Sequence, residues 1–214
     1  MGFLSYINKT YHRNILEILL FKYKHLIKGK ILDIGSRNRR YDYLFTGEIT
    51  AVDVNPNSEL KIVEGDLINL DFQSDTFDSV LCLEVFEYIE PDNFKKGFNE
   101  IHRVLKEEGN AIITIPFYYS DHEDTMRVTY RYILKYLKNL ALFKLKIIKF
   151  GNKYTTFYDI VLYAKLRNKF NKLIHLILDF FLFIIYIVIK MFSLQFKKDR
   201  YYSGLLIILS KHKK

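Results

Sequence analysis

Cysteine is almost missing: Cys82 stands alone in 214 residues. No intramolecular disulfide can form, and a reducing, cytosolic setting is the simpler expectation. Six histidines are scattered along the chain, none at ligand spacing with Cys82, so no metal site is expected. The opening Met1-Gly-Phe-Leu-Ser-Tyr lacks a basic stretch followed by a long apolar one, and no signal peptide is read there. No internal repeat or Pro/Gly/Ser-rich linker divides the sequence, which suggests one domain with an embedded lobe. Glycines are also missing where one cofactor class would need them. After Gly35 a dinucleotide-binding turn would bring two more glycines, but the chain continues Ser36-Arg-Asn-Arg-Arg40. That makes a dehydrogenase the remotest of the functions considered.

What is present begins with Lys30-Ile-Leu-Asp-Ile-Gly35: a short apolar strand, an acid near its end, and a glycine at a sharp turn. Ala51-Val-Asp-Val54 repeats the apolar–acidic pairing, and Gly65-Asp66-Leu67 adds a third acid. A carboxylate at a strand tip, as at Asp53, can accept hydrogen bonds from both hydroxyls of a ribose. Asp33 would repel a phosphate but suits an ammonium, which favours S-adenosylmethionine as ligand. The plainer readings are a strand-end cap for Asp33, an ordinary turn for Gly35 and a solvated loop acid for Asp53.

These residues resemble a known family, the class I S-adenosylmethionine-dependent methyltransferases of the type-11-like group. The resemblance runs from about Lys30 to Pro116 and resumes at the C-terminal strand. Ile-Leu-Asp-Ile-Gly35 and Ala-Val-Asp53-Val54 match its first two motifs. Gly65-Asp66 with Asp75-Thr-Phe-Asp-Ser-Val-Leu-Cys-Leu-Glu-Val-Phe-Glu87 matches the next two, and Arg103-Val-Leu-Lys-Glu-Glu-Gly109 with Ala111-Ile-Ile-Thr-Ile-Pro116 closes the core. The resemblance implies a Rossmann-like doubly wound α/β sheet, mostly parallel with an antiparallel last strand. It assigns Asp33, Gly35, Asp53, Val54, Asp66, Leu67 and Glu84 to the cofactor, with Asp66 and Leu67 beside the adenine and Glu84 facing the cleft. Two departures stand out. The turn after Gly35 carries arginines instead of glycines, in a run to Tyr41-Asp-Tyr-Leu-Phe45 that resembles a subgroup with an aromatic shortly after the turn, one that often accompanies surface-polysaccharide biosynthesis; and Tyr88 replaces a frequent histidine.

The periodicity predicts helices over 11–27, 91–106 and 129–140, with Gly109 at the exit of the second. Strands are predicted at 30–34, 49–54, 60–63, 78–83, 110–115, 144–150 and 204–209. The organisation expected is an N-terminal helical segment (1–29), the core (30–150), a helical insertion (151–200), and the last strand with a basic tail (201–214). Charge divides unevenly: residues 1–150 hold 21 basic and 21 acidic side chains, residues 151–214 hold 12 and 3. The same last third carries the most apolar segment, 173–194, so an anionic membrane surface is expected in preference to nucleic acid. Within that segment His175, Asp179, Tyr186, Lys190 and Ser193 fall on one helix face. A helix lying in the membrane interface is the favoured reading; a buried helix or homodimer contact, and a true span, are the others.

Past the fifth strand, Pro116-Phe-Tyr-Tyr-Ser-Asp-His122-Glu-Asp124-Thr-Met-Arg127-Val-Thr129 resembles the subgroup's proline–aromatic loop. Methyl transfer to a hydroxyl needs an in-line acceptor and a group to take its proton. His122 is the candidate base, Asp124 its orienter or a base itself, and Arg127 a holder of an acidic substrate group; a polar helix-capping loop is the plainer alternative. The function expected is O-methylation of a sugar or lipid-linked glycan, with a small lipid or quinone-like acceptor next. The place expected is the cytoplasm, peripheral to the inner face of the cell membrane. The competing function is a non-catalytic fold of the same type that docks on membranes or partners.

Overall fold

Runs of β-branched and leucine residues with no polar alternation need cover on both faces, and a parallel sheet between helices supplies it. A computed structural model describes residues 9–118, 124–140, 143–168, 170–196, 198 and 200–212. Its strands are β1 (Lys30–Ile34), β2 (Glu48–Asp53), β3 (Ile62–Glu64), β4 (Phe77–Leu83), β5 (Leu105–Pro116), β6 (Phe143–Phe150) and β7 (Gly204–Lys211). They form one sheet in the order β3-β2-β1-β4-β5-β7-β6. The pairs β1–β2, β1–β4, β2–β3 and β4–β5 are parallel, and the last strands run antiparallel. The helices are α1 (Tyr11–Tyr23), α2 (Phe94–Val104), α3 (Tyr130–Leu140), α4 (Lys153–Arg167) and α5 (Lys172–Met191).

The chain divides into two compact units. One comprises Leu20–Phe117, Asp121–Ile148 and Leu205–Lys214; the other Met1–Leu19, Tyr118–Ser120 and Lys149–Gly204. The described residues up to Leu19 group with those of the insertion.

In the sheet unit, Ile31, Leu32, Val80, Ile112 and Ile113 are wholly buried. Helix α2 adds Phe94, Phe98, Ile101 and Val104, with Phe86 stacked on Phe98 at 4.4 Å between ring centroids. This helix is shorter than its periodicity predicts. Pro91–Asn93 form a 3-10 turn before it, and Leu105 leaves the helical conformation to pair with Phe77. Gly109 accordingly lies inside β5, within the register shift between the Leu105 and Asn110 pairings, and not at a helix exit.

In the other unit, α4 begins at a capping box in which the Asn152 side chain accepts from Tyr154 and Thr155 N–H, while Thr155 Oγ1 accepts from Asn152 N–H. Tyr11, Tyr158, Leu162, Leu182 and Ile189 form its core, with Tyr11 edge-on to Tyr158 at 4.8 Å. The buried Asp159 carboxylate accepts from the N–H groups of Tyr11 (2.6 Å) and His12 (3.0 Å), capping the start of α1 from 147 residues away. Burial pushes this carboxyl up to about 7, opposed by the two backbone donors. Helix α5 turns Tyr186 toward Tyr11 and pairs Asp179 with Lys165 of α4. Its polar stripe thus lies toward the packed side, except Lys190, which is exposed at its edge, and Ser193, which falls past the helix end.

Asp159→Ala leaves two buried donors without their acceptor. It is expected to lower stability by about 2–4 kcal/mol, read as a lower urea midpoint at unchanged slope. Asp159→Asn, which keeps one acceptor, should lose less.

Candidate active site

The chain runs from β1 to β2 and β3 on one side, then returns to β4 and β5 on the other. This opens a crevice outside the carboxyl ends of β1 and β4, the place where open α/β sheets bind ligands. Asp33 sits one residue from the end of β1, pairing in register with Ala51 of β2 and Leu81 of β4. It is buried, and burial pushes its carboxyl up to about 7, with the neighbouring Asp42 adding to the effect. Gly35 then turns the chain at φ +69°, where a Cβ would meet Val85 Cγ2 at 2.3 Å.

The turn lacking the usual glycines keeps its shape by other means. Arg37 and Arg39 take φ of 49° and 52°, a left-handed geometry costing about 1–2 kcal/mol each in a non-glycine residue. Compensating bonds hold it. Gly35 and Ser36 N–H both donate to Val52 O, and Arg37 N–H donates to Asp53 Oδ2 at 2.9 Å. The Arg39 guanidinium binds Asp42 at 2.6 Å and the carbonyls of Leu60 and Lys61, so its side chain is engaged with the β2–β3 connection.

Asp53 ends β2, half-buried, with its other oxygen accepting from Asn55 N–H at 3.0 Å. Each oxygen retains a lone pair for a hydroxyl donor. Val54 beyond it is exposed. Asp66, after β3, closes a turn by accepting from Ile68 N–H at 3.1 Å. The Leu67 side chain is in the core beside Gly97. Glu84 follows β4 in the left-handed region at φ 60°, its N–H donating to Thr114 O at 3.0 Å.

Sequence reasoning passes over Glu87. Its side chain is buried, Oε2 has no hydrogen-bond partner among the described residues, and burial with the nearby Glu84 holds its carboxyl well above the usual range. Its carbonyl accepts from Thr125 N–H, Met126 N–H and Thr125 Oγ1, which ties Thr125 and Met126 to the 3-10 turn Phe86–Tyr88 that follows β4. In that loop Asp124 and Arg127 form a two-pronged ion pair, Arg127 Nη2 donating to Asp124 Oδ1 at 2.8 Å while Nη1 donates to Phe117 O at 3.0 Å. His122 lies outside the described residues. An open depression of about 310 Å³ lined by Tyr23, His25, Leu26, Lys146 and Ser210 contains none of the acidic residues above.

Residues 32–113 match the family model of a methyltransferase domain. The match runs from β1 into β5 and makes this part of the chain similar to a methyltransferase domain. An uncharacterized protein of Methanocaldococcus jannaschii is 30% identical over 108 residues, 47% of this chain, and the match covers only 46% of that protein's length. An S-adenosylmethionine-dependent methyltransferase structure from Archaeoglobus fulgidus superposes over 93% of this chain and 94% of its own, with a TM-score of 0.61 at 16% identity. The [4+2]-cyclase SpnF covers 96% of this chain and 84% of its own at a TM-score of 0.62 and 14% identity. Phosphoethanolamine N-methyltransferase 2 of Haemonchus contortus, in complex with S-adenosylmethionine, covers 93% of this chain and 53% of its own, with a TM-score of 0.57 at 15% identity. At these identities the structural likeness speaks for the fold. The side chains at these strand ends are acidic acceptors, which fit a cationic amino-acid head and a ribose diol better than a pyrophosphate.

Proposed function

We propose that the protein transfers the methyl group of S-adenosylmethionine to a hydroxyl of a sugar or lipid-linked glycan, on the cytoplasmic face of a membrane. The observation that carries the reading is the series of carboxylates at neighbouring strand ends: Asp33, Asp53, Asp66 and Glu84. Bound there, S-adenosylmethionine supplies a methyl activated on a sulfonium. Asp33 faces the methionine ammonium, Gly35 leaves room at the turn, and Asp53 accepts from the ribose hydroxyls. Asp66 and the Leu67 backbone flank the adenine, with Val54 beside them, and Glu84 completes the floor of the cleft. The loop from Pro116 to Thr129 receives the acceptor, with His122 or Asp124 taking the hydroxyl proton. The acceptor class rests on the resemblance of that loop, and the membrane setting on the outward face of α5.

Asp53→Ala removes both ribose acceptors, a loss of about 1.5–3 kcal/mol for hydrogen bonds to a charged group. S-adenosylhomocysteine affinity should fall roughly ten- to hundredfold by calorimetry. Wild-type affinity in that variant would mean the site is elsewhere.

The raised Asp33 carboxyl gives binding a pH dependence whose sign follows from linkage. The free protein holds a proton on Asp33 below about pH 7, and an ammonium partner favours the carboxylate, so binding expels that proton. Affinity should be flat above about pH 8 and weaken by up to about tenfold per unit below 7. Titrations in buffers of different ionisation enthalpy should show proton release at pH 6, and Asp33→Asn should abolish it.

Incubation with methyl-labelled S-adenosylmethionine and extracted lipid-linked glycans should place label in a base-stable ether, and Asp53→Ala should not. Cofactor binding without any transfer would overturn the acceptor class. No cofactor binding would leave the non-catalytic docking reading.

A further inference from the structure

Amphipathic helices in water usually bury their apolar side. Helix α5 does the reverse. Leu182 and Ile189 are packed into the unit beside Tyr11, Tyr158 and Leu162, on the same side as Asp179 and Tyr186. The opposite side carries Leu173, Leu176, Ile177, Phe180, Ile184 and Met191, between 42% and 73% exposed. These positions follow steps of 3, 1, 3, 4 and 7, so they form one continuous strip along the helix. An apolar strip this long is more than the scattered exposure normal for a protein surface.

We infer that this face of α5 docks in the plane of an anionic lipid surface. Three observations select that occupant. First, the face is bordered by charge of the matching sign: Lys172 and Lys190, about five helical turns apart, lie along the same edge of the strip, and both are exposed. Second, the segment Lys149–Gly204 holds ten Lys or Arg residues against three Asp, a net charge of +7. Of those acids, Asp159 is buried and Asp179 is paired with Lys165. A second copy would bring this charge against itself, whereas anionic headgroups neutralise it. Third, the packed side of α5 opposes a transmembrane placement. The helix is long and apolar enough to cross a bilayer. Crossing would, however, break the Asp179–Lys165 pair and strip Leu182 and Ile189 from their partners. In-plane burial keeps those contacts and covers only the side already facing out. Membrane docking and methyl transfer are separate properties, although the membrane setting of the proposed acceptor rests on this one.

Vesicle sedimentation with the full chain tests the inference. The protein should pellet with vesicles of mixed phosphatidylserine and phosphatidylcholine, less with phosphatidylcholine alone, and be partly released by 1 M salt. Lys172→Gln and Lys190→Gln should each weaken binding about fivefold on the anionic vesicles. The pair Phe180→Ser with Ile184→Ser should weaken it at least roughly tenfold on both. Circular dichroism and S-adenosylhomocysteine binding should stay at wild-type levels in every variant, which also separates this test from that of the methyltransferase reading. If the serine pair fails to fold, the two lysine variants alone decide. Three results would overturn the inference: no pelleting with either vesicle, retention on membranes after alkaline carbonate, or a dimer in solution that the serine pair dissociates while vesicle binding is absent.

Discussion

Gly35 and Val85 touch where β1 and β4 end side by side, and the geometry of the acidic cleft follows from that contact. With Val85 Cγ2 filling the place of a Cβ, the backbone can turn only at positive φ and only without a side chain. Turning there aims the N–H groups of Gly35 and Ser36 at Val52 O and that of Arg37 at the Asp53 carboxylate. One tight turn therefore fixes both the strand end bearing Asp33 and the orientation of Asp53. The strained arginines that follow are tolerable because the same turn gives their backbone and side chains partners, with Arg39 reaching three carbonyls and one carboxylate.

The parts of this arrangement that depend on local sequence were legible without coordinates. A strand buried on both faces has to be continuously apolar, so β1, β4 and β5 announce themselves, and Asp33, Asp53 and Asp66 mark the ends of β1, β2 and β3. Boundaries were less legible where tertiary pairing decides them. Lys106-Glu-Glu-Gly109 looks like a polar helix exit, yet Leu105 is already paired with Phe77, and that pairing has no local signature. Glu87 escaped because its burial comes from neighbours distant in sequence. Its carbonyl is met by a loop 38 residues on, while Phe86 beside it is drawn into the α2 aromatic cluster. Asp159 was invisible for the same reason, since its partners lie 147 and 148 residues away. Helix α4 did leave a signal that pattern reading passed over, the Asn152-x-x-Thr155 capping box.

For α5, periodicity correctly grouped the polar residues but did not say which way they face. A stripe of His, Asp, Tyr and Lys usually marks the side toward water. Here the stripe meets a partner that is itself mixed, α4 with Lys165 among its residues and Tyr11 at the start of α1, so the ionic and aromatic contacts are made inside the unit. The helix thereby satisfies the few polar groups it has and leaves its broad hydrocarbon side exposed. That is unfavourable in water, and a helix built only to stabilise the fold would have the opposite polarity.

A fold shared with both methyltransferases and a [4+2]-cyclase does not by itself identify a reaction. The discriminating feature is which charges the strand ends bear. A glycine-rich turn offers backbone N–H groups to a phosphate. This chain commits those donors to its own carbonyls and to Asp53, and places carboxylates at the strand ends instead. Asp33 makes the point most sharply. A buried carboxyl with its ionisation pushed up toward neutrality, and with Asp42 and Asp53 of like charge nearby, is an unfavourable group to keep in a folded protein. A positively charged ligand offsets that cost as soon as it binds. A buried acid of this kind is the physical complement that the proposed cationic cofactor requires.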